Sequence, residues 1–176
     1  MRSCYRINAP GQAHFITATI VELLPIFSTS ACCDILVASL AHCQQQKDLK
    51  IYGWVILDTH FHPVLAAREL SSVLRDIKSY TAKLLLEQIA TEGREWLLNE
   101  LRHYRAAHKS TGFQVWQEGS HPQAIPTDEI MEQKLDYLHA NPVKRGLVAS
   151  PEHWRYSSAH AWLPGAMPVL RCDAWR

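Results

Sequence analysis

His60-Phe61-His62 is the stretch whose residue types and spacing most readily support chemistry. It follows the apolar run Ile51-Tyr52-Gly53-Trp54-Val55-Ile56-Leu57, which reads as a buried strand. Strand side chains alternate between two faces, so His60 and His62 point one way and Phe61 the other. Two residues of strand rise separate their Cα atoms by about 6.5 to 7 Å, close enough for both imidazoles to meet one cation. A chain with ten histidines also produces such a pair by chance. Two partly exposed histidines at a strand end are therefore the other reading of these residues.

Tyr137 and Asn141 form the second candidate. Four residues apart on one helix, they share a face and stand one turn from each other. An Asn oxygen suits a hard cation such as Mg²⁺ or Mn²⁺, and a phenol becomes a nucleophile when a cation polarises the centre it attacks. By residue type alone, Tyr137 reads first as a helix residue with its hydroxyl at the surface, and Asn141 as a C-terminal cap before Pro142. His139, two residues from Tyr137, falls on another face and is read as a surface residue.

The elements that must position these groups follow from periodicity. Residues 14–23 (HFITATIVEL) are rich in β-branched and aromatic types and read as a first strand ending before Pro25. Thr29 or Ser30 caps a helix reaching residue 46, with Ile35, Leu36, Leu40 and Cys43 on its inner face. Residues 51–57 are apolar on both sides, as in a central strand, and Asp58-Thr59 turns the chain into a partner strand over 60–66. A second helix from Ser71 or Ser72 to about residue 89 buries Val73, Leu74, Ile77, Thr81, Leu84 and Leu85. Residues 91–112 read as a helical insertion of mixed charge, and 112–125 as a strand broken at Gly119-Ser120-His121-Pro122. Thr127 or Asp128 caps the helix carrying Tyr137, which Pro142 is expected to stop at Asn141. The order describes an α+β, ferredoxin-like antiparallel sheet with helices on one face, plus an extra helix for Tyr137.

The totals set limits. A chain of 176 residues fits one domain, here assigned to 1–163 with a short C-terminal tail over 164–176. Apolar residues at 47%, charged residues at 20% and six tryptophans describe a globular chain rather than a disordered one. Five cysteines, odd in number and without a C-x-x-C pair, suggest reduced thiols rather than a disulfide framework or zinc ribbon. No apolar run approaches the ~18 residues of a membrane span, so a cytoplasmic protein without a membrane partner is expected. A net charge of +1 does not itself predict a polyanion partner, although a local groove of Arg and Lys binds phosphate on a neutral protein.

Several ordered motifs together resemble a known family. GWVIL at 53–57, His60-Phe61-His62, IKSYTAKL at 77–84, VWQEG at 115–119, DYLHANPVKRGLV at 136–148 and WRYSSAHAW at 154–162 resemble the REP-associated tyrosine transposases, of the HUH single-strand DNA endonuclease superfamily. The resemblance spans about residues 5–162, and its most specific part is Tyr137-x-x-x-Asn141-Pro142-Val143.

The resemblance implies that His60 and His62 bind a divalent metal, Mg²⁺ or Mn²⁺, that Asn141 completes the site, and that Tyr137 attacks a phosphodiester. The family's reaction leaves a 5′-phosphotyrosine link and a free 3′-hydroxyl that can reverse the step. The implied partner is a single-stranded DNA hairpin, a REP-like palindrome, bound by a monomer or homodimer. Arg2, Arg6, Lys78, Lys83, Lys144, Arg145 and Arg155 are the candidate DNA contacts. Stacking could come from Trp116, Trp154 or Tyr156, although such residues more often belong to the core.

This chain departs from the family where Asp58-Thr59 replaces the usual Pro followed by Asn or Glu, and where Glu118 to Pro122 replaces basic and aromatic residues. Those departures keep a second expectation in view, a domesticated hairpin-binding regulator with little or no catalysis. Other H-x-H hydrolases are excluded. Metallo-β-lactamase-like enzymes need Asp-His where Val64-Leu65 stands, and amidohydrolase barrels need about 250 residues.

Overall fold

A computed structural model describes residues 7, 10–107 and 112–175. Its centre is an antiparallel hairpin of β3 (Lys50–Ile56) and β4 (His60–Ala66). Leu57 N–H donates to the His60 carbonyl at 2.8 Å, closing the turn at Asp58-Thr59. On its other side β4 pairs with β1 (His14–Phe15) and β2 (Ala18–Thr19). These are two pieces of one interrupted strand. The strand expected over 14–23 ends early because residues 21–23 turn, with Glu22 and Leu23 at φ of 50° and 55°. The far edge is the broken strand 112–125: Trp116 bridges Ile20, and β5 (Gln123–Ala124) pairs with β1.

The irregularity that matters in β3 is at Tyr52, where the register against β4 shifts between Ile51 and Gly53. Such a bulge moves the following residues to the opposite face. Ile51 therefore joins the cluster of Trp54, Ile56, Phe61 and Leu65, while Gly53 faces the other way with Val55 and Leu57.

α1 (Ser30–Gln46) and α2 (Leu70–Thr91) cover the first of these faces. Thr29 caps α1, its Oγ1 accepting from Cys32 N–H. Leu36, Leu40 and Cys43 of α1 meet Val73, Ile77, Leu85 and Ile89 of α2 at helical spacing. α3 (Glu95–His103) adds Leu97 and Leu101 to that cluster. α4 (Asp128–Lys144), capped by Thr127, covers the opposite face with Met131 and Leu138 against Phe15, Val55, Leu57 and Val64. The fold is thus α+β, with the extra helix α4 packed on the second face.

Pro142 does not stop α4. The helix continues through it to Lys144, because the missing N–H costs one hydrogen bond while the following turn is held by others. Arg145 N–H donates to Asn141 at 3.0 Å and Leu147 N–H to Pro142 at 2.9 Å. Gly146, at a φ of 70°, ends the run.

The segment 164–176 lies along the outer edge of β3 as far as it is described. Asp173 N–H donates to the Ile51 carbonyl at 2.7 Å, and Ile51 N–H returns a bond to Asp173 Oδ2 at 2.9 Å. Further along, Ile56 N–H donates to Tyr156. Edge groups that would otherwise seek another strand are thereby paired. No single helix among the described residues is long and apolar enough to cross a membrane.

Candidate active site

His60, His62 and Tyr137 meet on the α4 side of the sheet. The two imidazole centroids are 4.7 Å apart, and the Tyr137 ring lies 6.0 Å from His62, edge-on. Alternation along β4 aims both histidines at α4 and leaves Phe61 to the core behind. Each Nδ1 meets a threonine hydroxyl, Thr59 Oγ1 at 2.8 Å for His60 and Thr17 Oγ1 at 3.1 Å for His62. These contacts orient both rings, and the Ile16 backbone holds His62 as well.

Burial lowers the pKa of both rings. The positive Arg145 adds to the effect at His60, and Asp58 opposes it. His62 is brought down to about 4, by burial first and by His60 second. Both imidazoles are therefore neutral near pH 7, the state in which nitrogen binds a cation.

Asn141 follows Tyr137 by one turn and is nearly buried, its Nδ2 donating to the Tyr137 carbonyl at 3.0 Å. That bond engages the amide nitrogen, so Oδ1 is the atom the side chain has left to offer a cation. His60 and His62 offer neutral nitrogens and Asn141 an amide oxygen one turn from Tyr137, donor types that suit a divalent cation. Among the described residues no group of three or more His, Cys, Asp or Glu gathers for a metal.

Tyr137 is 44% exposed, and its ring is fixed from two sides. Phe15 of β1 meets it edge-on at 5.8 Å and also stacks on His62 at 5.3 Å. Lys144 Nζ stands 5.3 Å from the Tyr137 ring centroid. Phe15 and Thr17 escape a reading based on motifs, although the signal was present. In the run 14–20, Ile16, Ala18 and Ile20 join the α1 and α2 cluster, which sends the odd-numbered residues toward α4.

The other expected site residues divide. Arg145 is exposed beside the site but forms an ion pair with Asp58 at 2.9 Å. Lys78 and Lys83 belong elsewhere, lining a groove of about 1030 Å³ between α2 and residues 113–122, beyond the opposite face. There Lys78 Nζ donates to the carbonyls of Gln117 and Gly119 at 2.8 and 2.7 Å. Arg155 is exposed next to Tyr156. Arg2 and Arg6 lie outside the described residues.

The three stacking candidates are not free platforms. Trp116 is buried, Tyr156 is buried with its hydroxyl donating to Asp34 at 2.9 Å, and the half-buried Trp154 donates to the Ile56 carbonyl.

His139 corrects the sequence reading, being buried rather than at the surface. Its face of α4 turns to the protein, where Nε2 meets Ser158 Oγ at 2.7 Å and the ring lies edge-on to Trp162. Burial lowers its pKa to about 4, with Asp136 opposing. It belongs to the seating of α4.

Comparison with known proteins bears on this geometry. No protein-family model matches the chain. A Haemophilus influenzae protein named as a REP-associated tyrosine transposase is 29% identical over 105 residues, which is 60% of this chain. The chain spans 56% of that relative's length. The solved structure of a REP-associated tyrosine transposase bound to a REP hairpin superposes with a TM-score of 0.68 at 20% identity, covering 99% of this chain and 93% of that one. This chain has the fold of a REP-associated tyrosine transposase. The likeness of fold extends over nearly the whole chain.

Proposed function

We infer that this protein is a metal-dependent single-strand DNA endonuclease and strand transferase acting on hairpin-forming DNA. The observation that carries this reading is that one chain brings His60, His62 and Tyr137 into ring contact, with Asn141 one turn further on. A nucleophile and a neutral cation-binding pair on one partly exposed surface suit phosphodiester chemistry.

Tyr137 Oη attacks the phosphorus and forms a P–O bond to the 5′ side of the strand. The bond to the 3′ oxygen breaks in line with it. The 3′ oxygen leaves with a proton as a hydroxyl, and the phenol proton is lost to solvent. The reverse attack by a 3′-hydroxyl restores a phosphodiester, so joining needs no external energy source. A divalent cation, when held by His60, His62 and Asn141, supplies charge neutralisation at the phosphate. Phe15 and Lys144 hold the tyrosine ring, and Thr17 and Thr59 orient the imidazoles. Tyr137 and the histidines of one chain already meet, which supports a site built within a single chain, as monomer or within a homodimer. The buried cysteines Cys32, Cys33 and Cys43, all unpaired, accord with a cytoplasmic location.

The test is incubation with end-labelled hairpin DNA carrying single-stranded flanks, with Mn²⁺ or Mg²⁺ and with EDTA. Wild type should form a covalent adduct that resists denaturing electrophoresis, and both Tyr137→Phe and EDTA should abolish it. An adduct of equal yield in Tyr137→Phe would remove the assignment. Hairpin binding without an adduct at either metal would leave a DNA-binding regulator as the function.

A further inference from the structure

Lys134, Tyr137, Asn141 and Lys144 lie on one stripe of α4. At 3.6 residues per turn they fall within an arc of about 80°, next to the face that Met131 and Leu138 bury. The two lysines bracket the tyrosine, Lys134 one turn before it and Lys144 two turns after. Helical rise separates their Cα atoms by about 15 Å, and the two ammonium groups stand against different rings, Tyr137 and Phe15.

Each ammonium is also aimed at the site. Lys144 Nζ stands over the Tyr137 ring. Lys134 Nζ stands 5.1 Å from the centroid of Phe15, the ring that touches both Tyr137 and His62. Gln123 of β5 holds it there, its Oε1 accepting at 2.6 Å. A neutral amide fixes the position of the ammonium without cancelling its charge. Neither lysine pairs with a carboxylate among the described residues, in contrast to Arg145 on Asp58 and Lys47 on Asp76. Two positioned, uncompensated cations on either side of a nucleophile form a site for a polyanion laid lengthwise along the helix.

We propose that Lys134 and Lys144 bind the backbone phosphates on either side of the one attacked, so that the single strand runs along α4 with Tyr137 between its two anchors. The proposal rests on the reading of the site as a single-strand DNA endonuclease and adds the path of the strand and a residue, Lys134, that the motifs do not mark. Lys134 is a positioning residue for the strand, fixed by a contact with β5 that no local sequence signal shows.

The experiment is a binding titration, which does not depend on turnover. In a Tyr137→Phe background, affinity for a fluorescent hairpin with single-stranded flanks is measured against salt for the parent, Lys134→Ala, Lys144→Ala and Lys134→Arg. Each alanine variant should bind about three- to tenfold more weakly. Each should also lower the slope of log K against log salt by about 0.7, the value for one lost single-strand phosphate contact. Lys134→Arg should keep the slope.

A single neutral methylphosphonate walked along the flank should weaken the parent at two positions. One of these should have no further effect in Lys134→Ala and the other none in Lys144→Ala. Unchanged slopes in both alanine variants overturn the proposal, as does the same methylphosphonate pattern in all proteins. Wild type that binds with the predicted slopes but forms no covalent adduct keeps the strand path and removes the endonuclease reading. Absence of binding in the parent at low salt removes both.

Discussion

Toward α1 and α2, β4 presents Phe61 and Leu65, which with Trp54 and Ile56 of β3 join a continuous apolar cluster including Leu36, Leu40 and Ile77. Toward α4 the same strand presents His60, His62 and Val64, beside a much smaller cluster. The buried polar side chains His62, His139 and Asn141 sit on that second face. One face thus holds most of the buried apolar area, which supplies stability. The other holds polar groups whose burial costs free energy unless they are bonded, and this is where the candidate chemistry lies. Putting both on alternate residues of one strand ties the site to β4, which is paired on both sides.

The largest test of this contrast uses neighbouring positions. Phe61→Ala should cost about 3–5 kcal/mol by urea denaturation, as expected for a large side chain removed from a packed core. Tyr137→Phe should change stability by no more than about 0.5 kcal/mol, since the ring is partly exposed, while abolishing the adduct. Comparable stability losses in the two variants would mean that the faces are not separate in function.

Acid should weaken the α4 face selectively. The folded pKa of His139 is about 4 against an ordinary 6.5, so between those values the unfolded chain binds more protons. Its contribution is present above pH 6.5 and is lost as pH falls toward 4, amounting to at most about 3 kcal/mol. Urea midpoints at pH 7 and 5 should differ more for wild type than for His139→Gln, and equal differences would exclude His139 as the source.

A more local change is Gly53→Val. A Cβ at Gly53 would collide with Leu135 of α4 and touch Leu138 at 3.5 Å and Ser158 at 3.6 Å. The Leu135 methyl can swing aside, so the overpacking should cost about 1–3 kcal/mol rather than unfold the chain. Adduct formation should fall further, by about 100-fold, because lifting α4 by an ångström moves Tyr137 away from the histidines. A rate that tracks stability alone would show that the seating of α4 does not set the geometry.

These residues also show what a sequence can disclose. The β3 and β4 hairpin, α1, α2 and the start of α4 were legible because apolar periodicity and capping residues are local signals. His60 and His62 share a face by alternation alone, and Tyr137 and Asn141 by helical spacing. His139 was misread because its exposure depends on Ser158 and Trp162, remote in sequence. Pro142 was misread because the bonds that carry α4 past it come from the turn after the helix. Lys134 reads in the sequence only as a residue of α4, because its significance depends on Gln123 and Phe15, which the fold alone brings near.

Arg145 provides the finest test, since it separates a structural role from the DNA contact expected of it. Its ion pair with Asp58 joins the end of α4 to the turn that leads into His60. Both side chains are more than one-third exposed, so the pair should contribute under about 1 kcal/mol to stability. Its value lies in registering two elements that must meet. Arg145→Ala should therefore leave the urea midpoint nearly unchanged and slow adduct formation a few-fold. The charge-swapped double variant Asp58→Arg with Arg145→Asp should recover much of the rate if registration is the role. If Arg145 instead holds a phosphate, the swap should recover nothing, and Arg145→Ala should lower the salt slope of binding by about 0.7.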